Sequence, residues 1–148
     1  MDNPQDRLEL DSQLTELSRV QPWIEALADR YGFAEDARFA MHLCVEEALA
    51  NVVLHGYRNE AGHPIVMRAS VSGGALVFAI DDKAPHFVPT EPAPPNEAAK
   101  PANLESIELG GNGIRLLHRF AGSLRYERLP DGNRLTIGFP VLLSDRSE

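Results

Sequence analysis

The sequence predicts an α+β fold, a two-layer α/β sandwich in which a mixed or mostly antiparallel sheet carries its helices on one face. Two segments near the start, residues 14–31 and 34–54, repeat apolar residues at helical spacing. Two hairpin patterns follow, in residues 64–80 and 124–139. Hairpins join antiparallel strands, and helices that pack on one face of such a sheet form a second layer.

Length and charge limit the function classes. A chain of 148 residues has the size of one domain, so we expect a single unit over residues 1–148. Its 43% hydrophobic and 24% charged residues and its mean hydropathy of -0.25 are typical of soluble globular proteins. The net charge of -8 disfavours nucleic acid as a direct partner, because phosphate contacts require a basic surface.

The single cysteine, Cys44, cannot form an internal disulfide and fits a reducing compartment. The first residues are polar and acidic, unlike a secretory signal, and no run of about 18 apolar residues follows. We therefore expect a cytoplasmic protein with no membrane segment.

The chain begins with a strand and a helix. Arg7–Asp11 alternates apolar and polar residues and predicts a strand at a sheet edge. Ser12 is a candidate N-cap for a helix over about Leu14–Tyr31, kinked or re-initiated near Pro22 and ended by the following glycine.

The second helix, from about Ala34 to Leu54, carries the most informative pattern. At about 100° per residue, one strip about 80° wide contains small and polar side chains. Its members are Ala40, Cys44, Glu47, Asn51 and His55. A neighbouring face is apolar and predicts burial on most sides of the helix; it comprises Phe39, Leu43, Ala50, Val53 and Leu54. Polar groups within a buried helix suggest the wall of a pocket.

Two other polar residues of this helix receive different interpretations. Glu46 lies about 100° around the helix from Glu47, so we expect a structural or interfacial role for it. His55 precedes Gly56, where the helix should stop, and is better interpreted as a C-terminal cap than as a ligand.

The first hairpin places Asp81 and Asp82 at the end of its second strand, which is apolar throughout and therefore central. Residues 83–109 are rich in proline and predict a long lid, a binding loop or a disordered segment. A glycine cluster, Gly110–Gly113, opens the next short helix, and a second hairpin with its turn at Pro130–Asn133 closes the fold.

Three elements of this arrangement could carry chemistry, and each has a structural alternative. Glu47 and Asn51 share a helix face, where the carboxylate could orient or deprotonate a hydroxyl and the amide oxygen could help to hold Mg²⁺. An isolated pair at this spacing is more often an exposed surface pair or a satisfied buried hydrogen bond. Asp82 could accept a hydrogen bond from the exocyclic amine of adenine, or it could cap a turn. The glycine cluster could cradle phosphates, or serve as a hinge.

Other site types lack their residues. Five scattered histidines without a His-Glu-x-x-His pattern or a second cysteine do not form a zinc site. The nucleophile elbow of α/β-hydrolases and the signatures of eukaryotic-type protein kinases are also missing from the sequence.

The order of these elements resembles the GHKL (Bergerat) ATP-binding fold. Glu47–Asn51 with His55–Tyr57 resembles the N box of that superfamily, Asp82–Pro89 its G1 box, and Gly110–Ile114 its G2 box. The short length and the Asn-x-x-x-His-Gly-Tyr pattern are most similar to the anti-sigma-factor serine kinases of the RsbW type. The resemblance extends over about Leu8–Phe139.

The resemblance implies a set of roles. Glu47 would be the general base, Asn51 the Mg²⁺ ligand and Asp82 the adenine contact. The remaining nucleotide-contacting set would be Ala84, Gly110, Gly111, Asn112, Gly113 and Ile114, with Gly111 and Gly113 at the phosphates. The implied protein partners are a sigma factor and an anti-anti-sigma antagonist that is phosphorylated on serine, and the predicted edge strand makes a homodimer a further expectation.

Two positions depart from the family pattern. Ala84 replaces the usual glycine of the G1 box, and Val88 stands where many relatives have an acidic residue. Phosphoryl transfer depends mainly on positioning and electrostatics, so a chain can keep the nucleotide pocket and lose the rate. The alternatives are therefore a non-catalytic, nucleotide-dependent module that sequesters a partner, and a domain that binds no nucleotide.

Overall fold

A computed structural model describes residues 6–85 and 122–141. Strand β1 spans Arg7–Asp11, helix α1 Leu17–Tyr31 and helix α2 Glu35–Asn51; strands β2, β3, β4 and β5 span Pro64–Ser72, Ala75–Asp82, Ser123–Leu129 and Gly132–Pro140. A 3-10 turn, Leu14–Glu16, precedes α1, and a π-helical turn, Val52–Gly56, extends α2. The α+β prediction is confirmed.

Helix α1 runs without interruption through Pro22, so the predicted re-initiation there is wrong. Proline removes the hydrogen bond to the carbonyl four residues earlier. Pro22 and Ser18 are both exposed, so water can reach that carbonyl and the helix tolerates the loss. The predicted end is correct, because Gly32 adopts a left-handed conformation with φ of 73° directly after Tyr31.

Ser12 is not the helix cap that the sequence predicted. Its hydroxyl donates a hydrogen bond of 2.6 Å to the carbonyl of Glu60 and accepts one of 3.0 Å from the amide of His63. Ser12 therefore fastens the loop before β2 to the end of β1, across 48 residues of sequence.

Helix α2 is buried mainly in its second half. Phe39 is 46% exposed, so burial does not extend over most sides of the whole helix as predicted. Its end is also satisfied differently from the prediction: the amides of Tyr57 and Asn59 bond the carbonyls of Val52 and Val53. His55 is exposed, and no side-chain hydrogen bond of it occurs within the described residues.

The five strands form one sheet in the order β1-β2-β3-β5-β4, with every neighbouring pair antiparallel. The sequence correctly placed β1 at an edge and β3 in the centre. Two glycines with positive φ, Gly73 and Gly74, form the two-residue turn between β2 and β3.

One face of the sheet is buried and carries the core. Burial alternates along β3, and the buried positions of β2 and β5 lie in register with it. Trp23 of α1 packs edge-on against Phe78 of β3, with ring centroids 5.9 Å apart, so the helix layer lies on this face. On the opposite face, Asp81 pairs with Arg134 at 2.7 Å. Within the described residues, no helix is both long and apolar enough to cross a membrane.

Candidate functional site

Asp82 lies at the end of β3, with its side chain on the buried face. It is 5% exposed, and the alternation of β3 gives it the same orientation as Phe78 and Ile80. Its Oδ1 accepts hydrogen bonds from the amide of Ala84 at 2.9 Å and from Nδ2 of Asn133 at 2.8 Å. Burial raises the pKa of Asp82, and these two donors oppose that rise by stabilising the ionised carboxylate.

Asn133 is a site residue that the sequence interpretation missed. The chain was predicted to turn over Pro130–Asn133, but the turn is shorter, and Asn133 lies in β5 directly opposite Asp82. A signal was present: Asn133 continues the alternating series of Leu135 and Ile137, and therefore shares their buried face. Besides Asp82, its carboxamide contacts the hydroxyl of Tyr126 at 2.7 Å.

Gly132 lets β5 approach Asp82 closely. A Cβ atom at this position would overlap the carbonyl oxygen of Asp82 and come within 3.0 Å of the Cα atom of Lys83. The backbones of β5 and the end of β3 can therefore meet only because residue 132 has no side chain.

Tyr57 fixes the segment that follows Asp82. Its hydroxyl accepts a 2.6 Å hydrogen bond from the amide of Lys83 and donates one of 2.7 Å to the carbonyl of Pro64. Its ring stacks on that of His63, with centroids 4.7 Å apart, and burial raises the pKa of its hydroxyl. Tyr57 thus joins the end of α2 to β2 and to the first residue after β3.

Helix α2 contributes the other polar side chains. Glu47 is fully buried and Asn51 is 3% exposed, one helical turn further along. Asn51 and Asp82 both line a narrow cavity of about 10 Å³ between α2 and the sheet. The lining residues are Ala48, Asn51, Val52, Asp82, Tyr126, Asn133 and Leu135. This volume is close to that of a single water, so a larger ligand must extend beyond the cavity.

The neighbours of Glu47 differ from those of Glu46. Burial and the charge of Glu47 raise the pKa of Cys44 to about 12, which keeps the thiol protonated and chemically inert near neutral pH. Glu46 accepts a 3.0 Å hydrogen bond from Gln21 of α1 and lies 4.0 Å from His42. The two adjacent carboxylates therefore occupy different environments.

Several predicted site residues cannot be compared with the structure. Gly110, Gly111, Asn112, Gly113 and Ile114, with most of the predicted lid from residue 86 onward, lie outside the described residues. Of the G1 pattern, the structure describes Asp82–Pro85, in which Ala84 is buried and its amide bonds Asp82.

Asp82 presents a hydrogen-bond acceptor that suits a nucleotide base. An ionised carboxylate only accepts hydrogen bonds, and Asp82 keeps a second oxygen beyond the two donors at Oδ1. An exocyclic amine such as that of adenine donates hydrogen bonds, and the planar purine ring that carries it could pack against the aliphatic members of the lining, Ala48, Val52 and Leu135. An antiparallel sheet covered by helices on one face, with a buried aspartate at the end of its central strand, is the arrangement that the resemblance to the GHKL class predicts.

A family model supports the same class. Residues 10–139 match the model described as a histidine kinase-like ATPase domain. The chain therefore belongs to the histidine kinase-like ATPase domain family.

Individual relatives agree with the family assignment. The chain is 30% identical to the serine/threonine-protein kinase BtrW of Bordetella bronchiseptica over 139 residues, which cover 93% of this chain and 94% of that protein. The structure resembles that of the RsbU and RsbW domains of Rv1364c from Mycobacterium tuberculosis, with a TM-score of 0.61 and 14% identity, covering 91% of this chain and 32% of the other.

A second structural neighbour is the histidine kinase domain of the blue-light activated histidine kinase EL346 from Erythrobacter litoralis. Its TM-score is 0.50 at 20% identity, and the match covers 86% of this chain and 60% of that one. At these identities the structural neighbours establish a shared fold.

Proposed function

We propose that this protein is an ATP-binding anti-sigma regulatory factor with serine-protein kinase activity, whose substrate is an anti-anti-sigma antagonist. The observation that carries the proposal is the buried Asp82 beside Asn51, in a domain of the ATPase family that is 30% identical to a serine/threonine-protein kinase over nearly its whole length.

Each site residue has a role in this proposal. Asp82 accepts the 6-amine of adenine, and Ala84 lies beside the base. The residues at 110–114, led by Gly111 and Gly113, hold the phosphates through backbone amides. Asn51 would hold Mg²⁺ through its amide oxygen, the ligand type that this ion prefers, and the bound ion would supply charge neutralisation at the phosphates.

Glu47 acts as the general base for transfer. Its carboxylate takes the proton of the serine hydroxyl of the antagonist as the serine oxygen attacks the γ-phosphorus of ATP. The bond between the γ-phosphorus and the bridging oxygen breaks, ADP leaves with that electron pair, and the antagonist becomes a phosphoserine protein. The position of Glu47 supports this role, because it is buried one helical turn before Asn51 on the same face of α2.

The proposed partners follow from the same assignment. In its unphosphorylated form the antagonist competes with a sigma factor for this protein, and phosphorylation ends the competition, which regulates transcription by partner switching. The protein works in the cytoplasm as one ATP-binding domain, and as a homodimer in which the edge strand β1 offers unpaired backbone groups to a second copy.

The test is transfer of labelled phosphate from ATP to the cognate antagonist. Glu47→Gln keeps the size of the side chain and removes the base, so we expect transfer to fall by about 100-fold or more while ATP affinity stays within about threefold. Glu46→Gln, one residue away and directed at Gln21, is the matched control and should retain transfer. Full transfer by Glu47→Gln would remove the base from the mechanism.

A second candidate is a non-catalytic, nucleotide-dependent module that sequesters a protein partner. Ala84 favours it, since a buried methyl group stands where the resemblance leads one to expect glycine. This candidate predicts that the wild-type protein binds ATP and ADP in calorimetry without transferring phosphate to the antagonist. Phosphoserine on the antagonist would exclude it.

A further inference from the structure

The two oxygens of Asp82 have different surroundings. Oδ1 receives both hydrogen bonds, at 2.9 Å from the amide of Ala84 and at 2.8 Å from Nδ2 of Asn133. Oδ2 receives no hydrogen bond within the described part of the chain. The carboxylate is therefore fixed through Oδ1, and Oδ2 remains available to accept a hydrogen bond from a ligand.

Only one of the two orientations of the Asn133 carboxamide is compatible with its hydrogen-bond partners. Its Oδ1 accepts the hydroxyl proton of Tyr126 at 2.7 Å. Its Nδ2 faces three acceptors, namely Asp82 Oδ1 and the carbonyls of Ala84 and Pro85 at 3.2 and 3.4 Å. A flipped amide would direct an oxygen at all three acceptors, so the environment determines which end donates.

We propose that Asn133, oriented by Tyr126, is a positioning residue that sets nucleotide specificity by engaging Asp82 Oδ1 and leaving Oδ2 for the 6-amine of a purine. This inference rests on the proposed binding of ATP. Asn133 does not touch the nucleotide in it; it fixes the rotamer of the residue that does.

The backbone of the site supports this role. Asp82 and Asn133 are direct partners in the ladder between β3 and β5, and Gly132 allows the two strands to approach closely at this point. The position of Nδ2 is therefore determined by strand pairing. A donor held by a sheet costs little further ordering when the ligand arrives, which favours selective binding.

The experiment compares ATP with purine riboside triphosphate, which lacks only the 6-amine. For the wild-type protein we expect calorimetry to give a dissociation constant about 10–100 times lower for ATP, the range of hydrogen bonds to a charged group. Asn133→Leu keeps a similar volume and loses the donor, and it should reduce this ratio about tenfold. Thr136→Val, on the opposite face of the same strand, is the control and should leave the ratio unchanged.

The ratio separates positioning from general damage. If Asn133→Leu weakens both nucleotides equally and keeps the wild-type ratio, the residue is merely structural and the inference is overturned. If the wild-type protein binds neither nucleotide, the proposed function fails, and the inference fails with it.

A second variant covers the case in which Asn133→Leu does not fold. Tyr126→Phe removes the hydroxyl that orients the carboxamide and changes the volume of the core little. We expect it to reduce the ratio about threefold, the effect of one neutral hydrogen bond. An unchanged ratio in a folded Tyr126→Phe protein would contradict the inference.

Discussion

At the scale of single residues, the burial of Asp82 has a cost in stability. Its pKa in the folded protein lies above the ordinary value of an aspartate, chiefly because burial disfavours the charged form. Its contribution to stability is therefore fully present below the pKa of the unfolded chain and is lost as the pH rises through the higher pKa of the folded state. Deprotonation of the buried Asp82 therefore costs the folded state stability.

Asp82→Asn should consequently separate stability from binding. An asparagine oxygen can still accept from Ala84 and Asn133, while the charge is gone. At pH 7 without nucleotide, we expect the melting temperature to stay equal or rise by roughly 1–4 °C. ATP affinity should fall at least about tenfold, because an amide donor replaces the acceptor. A clear loss of thermal stability would show that the ionised form is needed for folding.

Tyr57→Phe tests the hydrogen bonds that hold the segment after Asp82 in place. The variant removes one hydroxyl and leaves the amide of Lys83 and the carbonyl of Pro64 without this partner. We expect the free energy of unfolding to fall by about 1–3 kcal/mol, measured as a lower urea midpoint at unchanged slope.

Ser18→Ala is the matched control for Tyr57→Phe. The hydroxyl of Ser18 also donates to a carbonyl, that of Thr15, but in an exposed position. Its removal should change stability by less than about 0.5 kcal/mol. Equal effects of the two substitutions would indicate that the hydrogen bonds of Tyr57 are no more important than a surface contact.

At the scale of elements, β5 contains two glycines that differ in what surrounds them. A Cβ atom at Gly132 would meet backbone atoms of Asp82 and Lys83, which cannot move without displacing the end of β3. A Cβ atom at Gly138 would meet the hydroxyl of Ser123, the end of a side chain that can rotate away.

Gly132→Ala should therefore cost about 1–3 kcal/mol of stability, as overpacking does, and also weaken ATP binding, because the displaced backbone carries Asp82. Gly138→Ala should cost less than about 1 kcal/mol and leave binding intact. Chemical denaturation and calorimetry on both variants make the comparison. Similar results for the pair would mean that the approach of β5 to Asp82 has room to relax.

Elements with a strong period were predictable from the sequence, and contacts between distant elements were not. The continuous apolar run over residues 75–80 identified a central strand with Asp82 at its end, and helical spacing put Glu47 and Asn51 on one face. The helix cap at Ser12 and the turn at Asn133 were wrong, since their true partners lie 48 and 51 residues away. Residues such as serine and asparagine have similar local propensities in a turn and at the start of a strand, so the tertiary hydrogen-bond partner determines which of the two forms.

At the scale of the whole molecule, the candidate site joins the two layers of the sandwich. Helix α2 supplies Glu47 and Asn51, the sheet supplies Asp82 and Asn133, and the narrow cavity lies between Asn51 and the two sheet residues. A ligand that contacts both layers binds the folded state and not the unfolded chain. It must therefore stabilise the entire domain in proportion to its occupancy.

Mg-ATP should accordingly raise the melting temperature. At a free concentration of about 100 times the dissociation constant, the stabilisation is about 2.7 kcal/mol, which corresponds to roughly 5–10 °C for a chain of this size. If Asn51 is the Mg²⁺ ligand proposed above, removing Mg²⁺ with a chelator should reduce the shift. With binding about tenfold weaker, Asp82→Asn should keep at most about half of the shift at the same ATP concentration, although its own melting temperature without ATP is not lowered. A full shift in that variant would mean that ATP stabilises the domain from somewhere other than the cavity between α2 and the sheet.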